Sequence, residues 1–383
     1  MAKFLPFALP DIGEAEIAEV VDSLRSGWIT SGPKARRFEK DFAERLGGDV
    51  VAIAVNSATA GLHLAIEALG VGPGDEVITT THTFTATAEV VRYLSADPVF
   101  VDIDLNSYCL DVSSIEERVN SRTKAILPVH YAGLPCDMGA ILDIARRRSL
   151  QVVEDAAHAF PVYYGDKQVG TLGSDATIFS FYATKTIATG EGGMLVTSRP
   201  DVAKRAATMR LHGIDRDAFD RYVSTKPSWY YEVIAPGFKY NMTDIAASLG
   251  IHQLKRAEQF WLRRRELAAR YDEELARLPL VLPPRGAHPN GHAWHLYVVR
   301  LREDCRKSRD EVVQQMFELG VGCSVHYVPL HQQPYWKERY RLRAEDFPNS
   351  QLLYERGFSL PIYTKMSNGD QDRGIAGLKA VLA

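Results

Sequence analysis

The stretch Gln151-Val-Val-Glu-Asp155-Ala-Ala-His158 sets the reading of the whole chain. Its apolar run is short enough for a strand buried in a parallel sheet, and it ends on a carboxylate. Open α/β sheets hold their ligands just beyond the carboxyl ends of the strands. A carboxylate placed there needs a cation or several donors to stay charged. Taken alone, Asp155 reads equally well as the N-cap of a helix starting at Ala156.

Working outward, Thr177-Ile-Phe-Ser-Phe181 and Gly193-Met-Leu-Val-Thr197 are close enough to be neighbouring strands. Residues 50–55, 76–80, 98–102 and 125–129 are further short strands. Helices are expected between and before them. One covers 11–24, with Ile12, Ile17, Val20, Val21 and Leu24 on its apolar side, another 57–69, stopped by Gly70, Gly72, Pro73 and Gly74, and another 140–148. Strands separated by helices predict βαβ units and a mostly parallel sheet. Residues 210–240 read as a loop region. A long helix over 243–278 then leads into a smaller α+β unit, with a strand at 294–301, a helix at 308–319 and a strand at 325–328. The expected division is a large domain, 1–245, and a small one, 246–383.

Composition limits the class. Of 383 residues, 46% are hydrophobic and 24% charged, which excludes a disordered chain and a coiled coil. With 45 Lys plus Arg against 48 Asp plus Glu, the net charge of −3 gives no reason to expect nucleic acid or an anionic membrane as partner. Cys109, Cys136, Cys305 and Cys323 are scattered, which speaks against a disulfide framework. No signal-peptide core and no membrane-length apolar run is read, so a cytoplasmic location is expected and the sequon Asn241-Met-Thr243 should stay unmodified. His288, His292 and His295 have metal-like spacing, but the intervening Pro289, Asn290 and Gly291 read as a turn, and no metal is expected.

Three more features bear on chemistry. Val55-Asn-Ser57-Ala-Thr59-Ala-Gly61 is a strand followed by small polar residues and a helix, which is either a plain N-cap or an anion site. Ser180-Phe-Tyr-Ala-Thr-Lys185 puts a lysine after an apolar strand and before the Gly-rich turn Gly190-Glu-Gly-Gly193. Partial burial there would lower its pKa and make its amine nucleophilic. Thr80-Thr-His-Thr-Phe84 offers an aromatic ring for stacking or for core packing. Phosphate turn, ring stacker, strand-end carboxylate and lysine, in this order, are what pyridoxal 5'-phosphate (PLP) requires.

The chain resembles the PLP-dependent nucleotide-sugar aminotransferases of the DegT/StrS type, within the fold type I aspartate aminotransferase superfamily. Gly27-Trp-Ile-Thr-Ser-Gly32, Asn56-Ser-Ala-Thr59, Gly74-Asp-Glu-Val-Ile78, Glu154-Asp-Ala-Ala-His158, Ser180 to Lys185, Arg210-Leu-His-Gly213 and Gly237-Phe-Lys-Tyr-Asn-Met-Thr-Asp244 carry the likeness. It implies an α/β fold type I transferase, with a large mostly parallel sheet sandwiched by helices and a smaller C-terminal α+β domain. It implies Lys185 as Schiff-base lysine and proton carrier, and Asp155 as partner of the pyridine nitrogen. His158 would lie at the ring and Phe84 would stack on it. Ser57, the Ala58 N–H, Thr59 and Ser180 would hold the phosphate. Asn241 would reach the phosphate of a second subunit, making a homodimer with shared sites. Ile29, Thr30, His326 and Tyr327 match sugar contacts, and His212 and the segment 226–231 would face the nucleotide.

The implied reaction moves the amino group of L-glutamate, by a ping-pong route, to a keto group of a nucleotide-linked keto-deoxy sugar, with C4 favoured. A C3-keto nucleotide sugar or a cyclitol remains an alternative. A sugar dehydratase of the family would carry His where Lys185 stands, and a PLP-binding regulator would need a further nucleic-acid-binding domain.

Overall fold

The computed structural model describes residues 4–47, 49–215 and 230–383. Its centre is a seven-stranded sheet of β1 (Val51–Val55), β2 (Glu76–Thr80), β3 (Asp97–Val101), β4 (Thr123–Ile126), β5 (Gln151–Asp155), β8 (Ala176–Ser180) and β9 (Gly193–Thr197), in the order β1-β9-β8-β5-β4-β2-β3. A small hairpin of β6 (Tyr163–Tyr164) and β7 (Lys167–Gln168) lies outside it. Only β9 runs antiparallel to its neighbours. Thr177–Phe181 and Gly193–Thr197 are therefore neighbours, as expected, and run antiparallel, joined by the segment that carries Lys185.

The strands are apolar on both faces because helices cover both. On one face α3 (Ala58–Ala68), α4 (Ala86–Tyr93) and α6 (Pro200–Met209) pack over Val55, Val77, Val153 and Ile178. On the other, α2 (Pro33–Leu46) and the start of α7 (Asp244–Leu275) cover Phe179 and Val196, while α5 (Met138–Arg148) covers Ile126 and Val152. Thr243 caps α7, its Oγ1 accepting from Ala246 N–H at 3.2 Å. The far end of α7, through Leu267, Tyr271 and Leu275, packs against a three-stranded antiparallel sheet of β10 (Leu280–Val281), β11 (Tyr297–Leu301) and β12 (Gly357–Leu360). α8 (Arg309–Glu318) and α11 (Asn368–Leu382) close that smaller layer. Between them in sequence, α9 (Pro334–Tyr340) and α10 (Pro348–Arg356) lean back on the large sheet. Trp336 Nε1 donates to Thr85 Oγ1 at 3.0 Å, and Asp102 accepts from the N–H groups of Asn349 and Ser350. We propose residue 245 as the seam of the two domains, though the helix that starts there packs on both. Among the described residues no helix is long and apolar enough to cross a membrane.

Two expectations need correction. The first helix, α1 (Glu14–Ser26), turns its polar side inward: Glu16 and Ser23 are buried, whereas Ile17 and Leu24 are exposed. Glu16 Oε1 accepts from Gln253 Nε2 at 2.8 Å, and Ser23 Oγ meets Ser248 Oγ at 2.7 Å, so hydrogen bonds to α7 override the apolar stripe. Residues 325–328 form no strand. Only Ser324 pairs, with Ser359, before the chain leaves the small sheet toward the large one.

Candidate active site

β1, β2, β5 and β8 all end at one edge of the large sheet, and β9 begins there. A cavity of about 610 Å³ lies between this edge and the small unit. Ser57, Ala58, Thr59, Phe84, Asp155, His158, Ser180, Lys185, His326 and Tyr327, from five separate stretches of chain, all line it.

Asp155 ends β5 and faces the same side as Val153, toward α4. No helix follows it, so the capping alternative falls: Ala156 to His158 form a turn. Thr87 Oγ1 donates to its Oδ2 at 2.8 Å and the Ala157 N–H to its Oδ1 at 3.1 Å. At 6% exposure, burial pushes the carboxyl upward, and these donors together with the charges of Lys185 and His130 pull it back. Two donors leave room for a cation at such a carboxylate.

Lys185 stands across the cavity in the turn after β8, its backbone N–H bonded to Tyr182 O at 2.9 Å. The side chain faces the cavity but is otherwise walled in by protein. Loss of water lowers its pKa to about 8; Asp155 opposes this and the positive charge of Arg264 adds to it. A usable fraction of neutral amine at physiological pH follows.

His158 is fixed by its neighbours. The Ala132 N–H donates to Nδ1 at 3.2 Å, so the ring proton sits on Nε2, which donates to Tyr327 Oη at 3.0 Å. The Tyr327 hydroxyl proton is then free for a group in the cavity. Burial keeps the imidazole neutral. Phe84 stands at the rim, 57% exposed, its ring centroid 5.7 Å from that of Tyr327.

The strand β1 delivers Ser57 as N-cap of α3, accepting from Ala60 N–H at 3.1 Å. Among the described residues nothing pairs with the Ala58 and Thr59 N–H groups, which stay available at the positive end of the helix. Gly193 makes the turn accessible: a Cβ there would lie 2.8 Å from Ala58 N. The cap and anion readings of this turn are thus compatible. An anion cradle, a buried carboxylate and a poised amine in one cavity fit a phosphorylated pyridinium ring such as PLP.

Three expected residues are not brought in. Asn241 Nδ2 donates to Ser31 Oγ at 2.6 Å, Ser31 Oγ donates to Met242 O at 2.5 Å, and Asp244 N–H to Thr30 O at 2.8 Å. The exposed Ile29 and Thr30 and the half-buried Asn241 therefore lie outside the cavity of their own chain. His212, held in a left-handed backbone conformation, and the exposed Tyr230 also lie outside it. Residues 226–229 fall outside the described residues.

Sequence reading missed Phe7, Thr87 and His295. Thr83 and Thr87 stand four residues apart at the entry to α4 and their hydroxyls meet at 2.8 Å, but the bond from Thr87 to Asp155 spans 68 residues and is tertiary. Phe7 and His295 arrive from distant segments and had no local signal. Of the three histidines whose spacing was read as metal-like and set aside, His292 stacks on Trp294 while His295 faces Lys185.

Comparison with known proteins identifies the family. The model of the DegT/DnrJ/EryC1/StrS aminotransferase family matches residues 10–379. The spore coat polysaccharide biosynthesis protein SpsC of Bacillus subtilis is 46% identical over 381 residues, 99% of this chain and 97% of that protein. MJ1066 of Methanocaldococcus jannaschii, itself uncharacterized, is 49% identical over 99% of this chain and 98% of its own length. The PLP form of the putative sugar aminotransferase Spr1654 of Streptococcus pneumoniae superposes with a TM-score of 0.91 at 33% identity, covering 99% of this chain and 98% of that one. The chain therefore belongs to the DegT/DnrJ/EryC1/StrS aminotransferase family, and is a sugar aminotransferase that works with pyridoxal phosphate.

Proposed function

We propose that this enzyme transfers the amino group of L-glutamate to the C4 keto group of a nucleotide-linked keto-deoxy sugar, as a cytoplasmic homodimer. The observation that carries the reading is the meeting of Lys185, Asp155 and the α3 N-terminus in one cavity, with His326 and Tyr327 of the small unit opposite. Its volume lies within the range of small-molecule sites and leaves space beside a cofactor for a sugar ring. The choice of C4 rests on the likeness of Gly27-Trp-Ile-Thr-Ser-Gly32 and of Gly237-Phe-Lys-Tyr-Asn-Met-Thr-Asp244 to C4-aminating relatives.

In this reading Ser57, the Ala58 N–H, Thr59 and Ser180 hold the phosphate, Asp155 keeps the ring nitrogen protonated, and Phe84 and His158 flank the ring. When bound, PLP supplies a conjugated ring that takes up the electron pair left on a substrate carbon as its proton departs. Lys185 Nζ holds that proton and returns it, and its lowered pKa suits both directions. Tyr327 Oη has a proton to offer a sugar oxygen, because His158 Nε2–H already occupies one of its lone pairs. The small unit limits entry of water from the side opposite the sheet. Donor and acceptor use one cavity in turn, which gives ping-pong kinetics.

The test is the visible absorbance of the purified enzyme with a panel of acceptors. Glutamate should bleach the yellow colour, and a 4-keto nucleotide sugar should restore it. Lys185→Ala should lose turnover completely; normal turnover in that variant ends the proposal. A free nucleoside diphosphate should compete with the acceptor, and absence of competition would shift the reading to a cyclitol or other free keto sugar.

A further inference from the structure

The proposed chemistry uses Lys185 but leaves two buried basic residues beside it unexplained. Arg264 of α7 is 2% exposed, and no carboxylate pairs with it among the described residues. Instead its Nη1 donates to three backbone carbonyls: Trp294 at 3.1 Å, His295 at 3.3 Å and Ile362 at 2.9 Å. His295 follows directly, 5% exposed, with Nε2 3.5 Å from Lys185 Nζ and its ring centroid 4.4 Å from that of His158. Its Nδ1 is buried without a partner.

We propose that His295 seats the Lys185 amine, and that Arg264 is a positioning residue that fixes the His295 imidazole through the carbonyls of residues 294 and 295. The proposal rests on Lys185 being the reacting amine. The geometry runs in one line: α7 holds Arg264, Arg264 grips the backbone just before β11, and that backbone presents the imidazole to the lysine. The 3.5 Å separation is long for a hydrogen bond, and a small movement of the amine toward the ring closes it.

A role in folding alone accounts poorly for this arrangement. A guanidinium buried without a counter-charge costs folding free energy, and an apolar side chain of similar volume would fill the space without that cost. What the cation adds is field. It repels the ammonium form of Lys185, so the amine spends more time neutral, and it adds to the burial that keeps His295 neutral as an acceptor. The other groups facing this pair are Asp155 from β5, His158 from the turn after it, and His326 and Tyr327 from the small unit. Asp155 is the one that draws the Lys185 pKa upward.

The test reads Lys185 in the cofactor-free protein. Cyanate modifies neutral amines, and the extent at Lys185 is followed by peptide mass spectrometry against pH. The wild type should be half-modified near pH 8. Arg264→Met should move that midpoint upward by about one unit, the size expected for loss of a buried like charge. Arg264→Lys keeps the charge but loses the grip on three carbonyls, so its midpoint should stay while kcat falls with KM little changed. His295→Phe should lower kcat about tenfold, and His295→Gln should recover part of it. An unmoved midpoint in Arg264→Met, or wild-type kcat in His295→Phe, overturns the proposal. If Arg264→Met does not fold, wild-type kcat in Arg264→Lys overturns it. Lys185→Ala separates the two readings, since its loss of turnover with unchanged Arg264 and His295 variants removes only this proposal.

Discussion

Asp155 and Thr87 show how much of the site is set by single contacts. The sequence places a carboxylate at the end of an apolar strand, and the structure adds the hydroxyl that keeps it charged, at 2.8 Å. Thr87→Val preserves shape and removes that donor. A hydrogen bond to a charged group is worth about 1.5–3 kcal/mol, so cofactor retention should weaken roughly tenfold or more. The sign is set by the pKa: without Thr87 the Asp155 carboxyl moves further up and is less often ionised to face a pyridinium. Cofactor content after dialysis, read by absorbance, checks this, and wild-type retention would contradict it. Asp155 was legible because burial and position on a strand are local properties. Thr87 comes from α4, 68 residues away in sequence, and its pairing is tertiary.

At the scale of elements, strands and helices of the large sheet follow their apolar periods closely, because both faces of that sheet are covered. α1 fails by the same measure. Its apolar residues point outward while Glu16 and Ser23 meet α7, so a stripe read as a core face is a surface in one chain. Residues 325–328 fail for another reason. His326 and Tyr327 line the cavity wall, with no second strand beside them. The junction of β9 and α3 depends on Gly193, whose missing side chain lets the strand pass against the α3 turn. Gly193→Ala forces backbone apart at the anion cradle. We expect about 1–3 kcal/mol of destabilisation and loss of cofactor binding, with the thermal midpoint and the absorbance measured on one sample. Full cofactor binding in that variant would show that the cradle lies elsewhere.

At the scale of the whole molecule, the single chain leaves parts of its own expected site on the surface. Asn241 is bonded to Ser31 and Thr30 to Asp244, Ile29 beside them is exposed, and α1 exposes Ile17 and Leu24. In the proposed homodimer a second copy would cover this face and bring those residues to the partner's cavity. Mixing Asn241→Ala with Lys185→Ala chains should then restore activity, because each heterodimer holds one intact site. No recovery, with heterodimers shown by mass, would count against shared sites.

The sequence by itself determined the class of chemistry and the layered α/β fold. Strand-end Asp155, turn-borne Lys185 and the helix-capping Ser57 are short-range features, each written in a few adjacent residues. Tertiary structure alone decided which groups surround them. Thr87, Phe7 and His295 reach the cavity and Arg264 stands behind His295, from four separate stretches of chain, and burial, charge and hydrogen-bond direction exist only once those stretches pack.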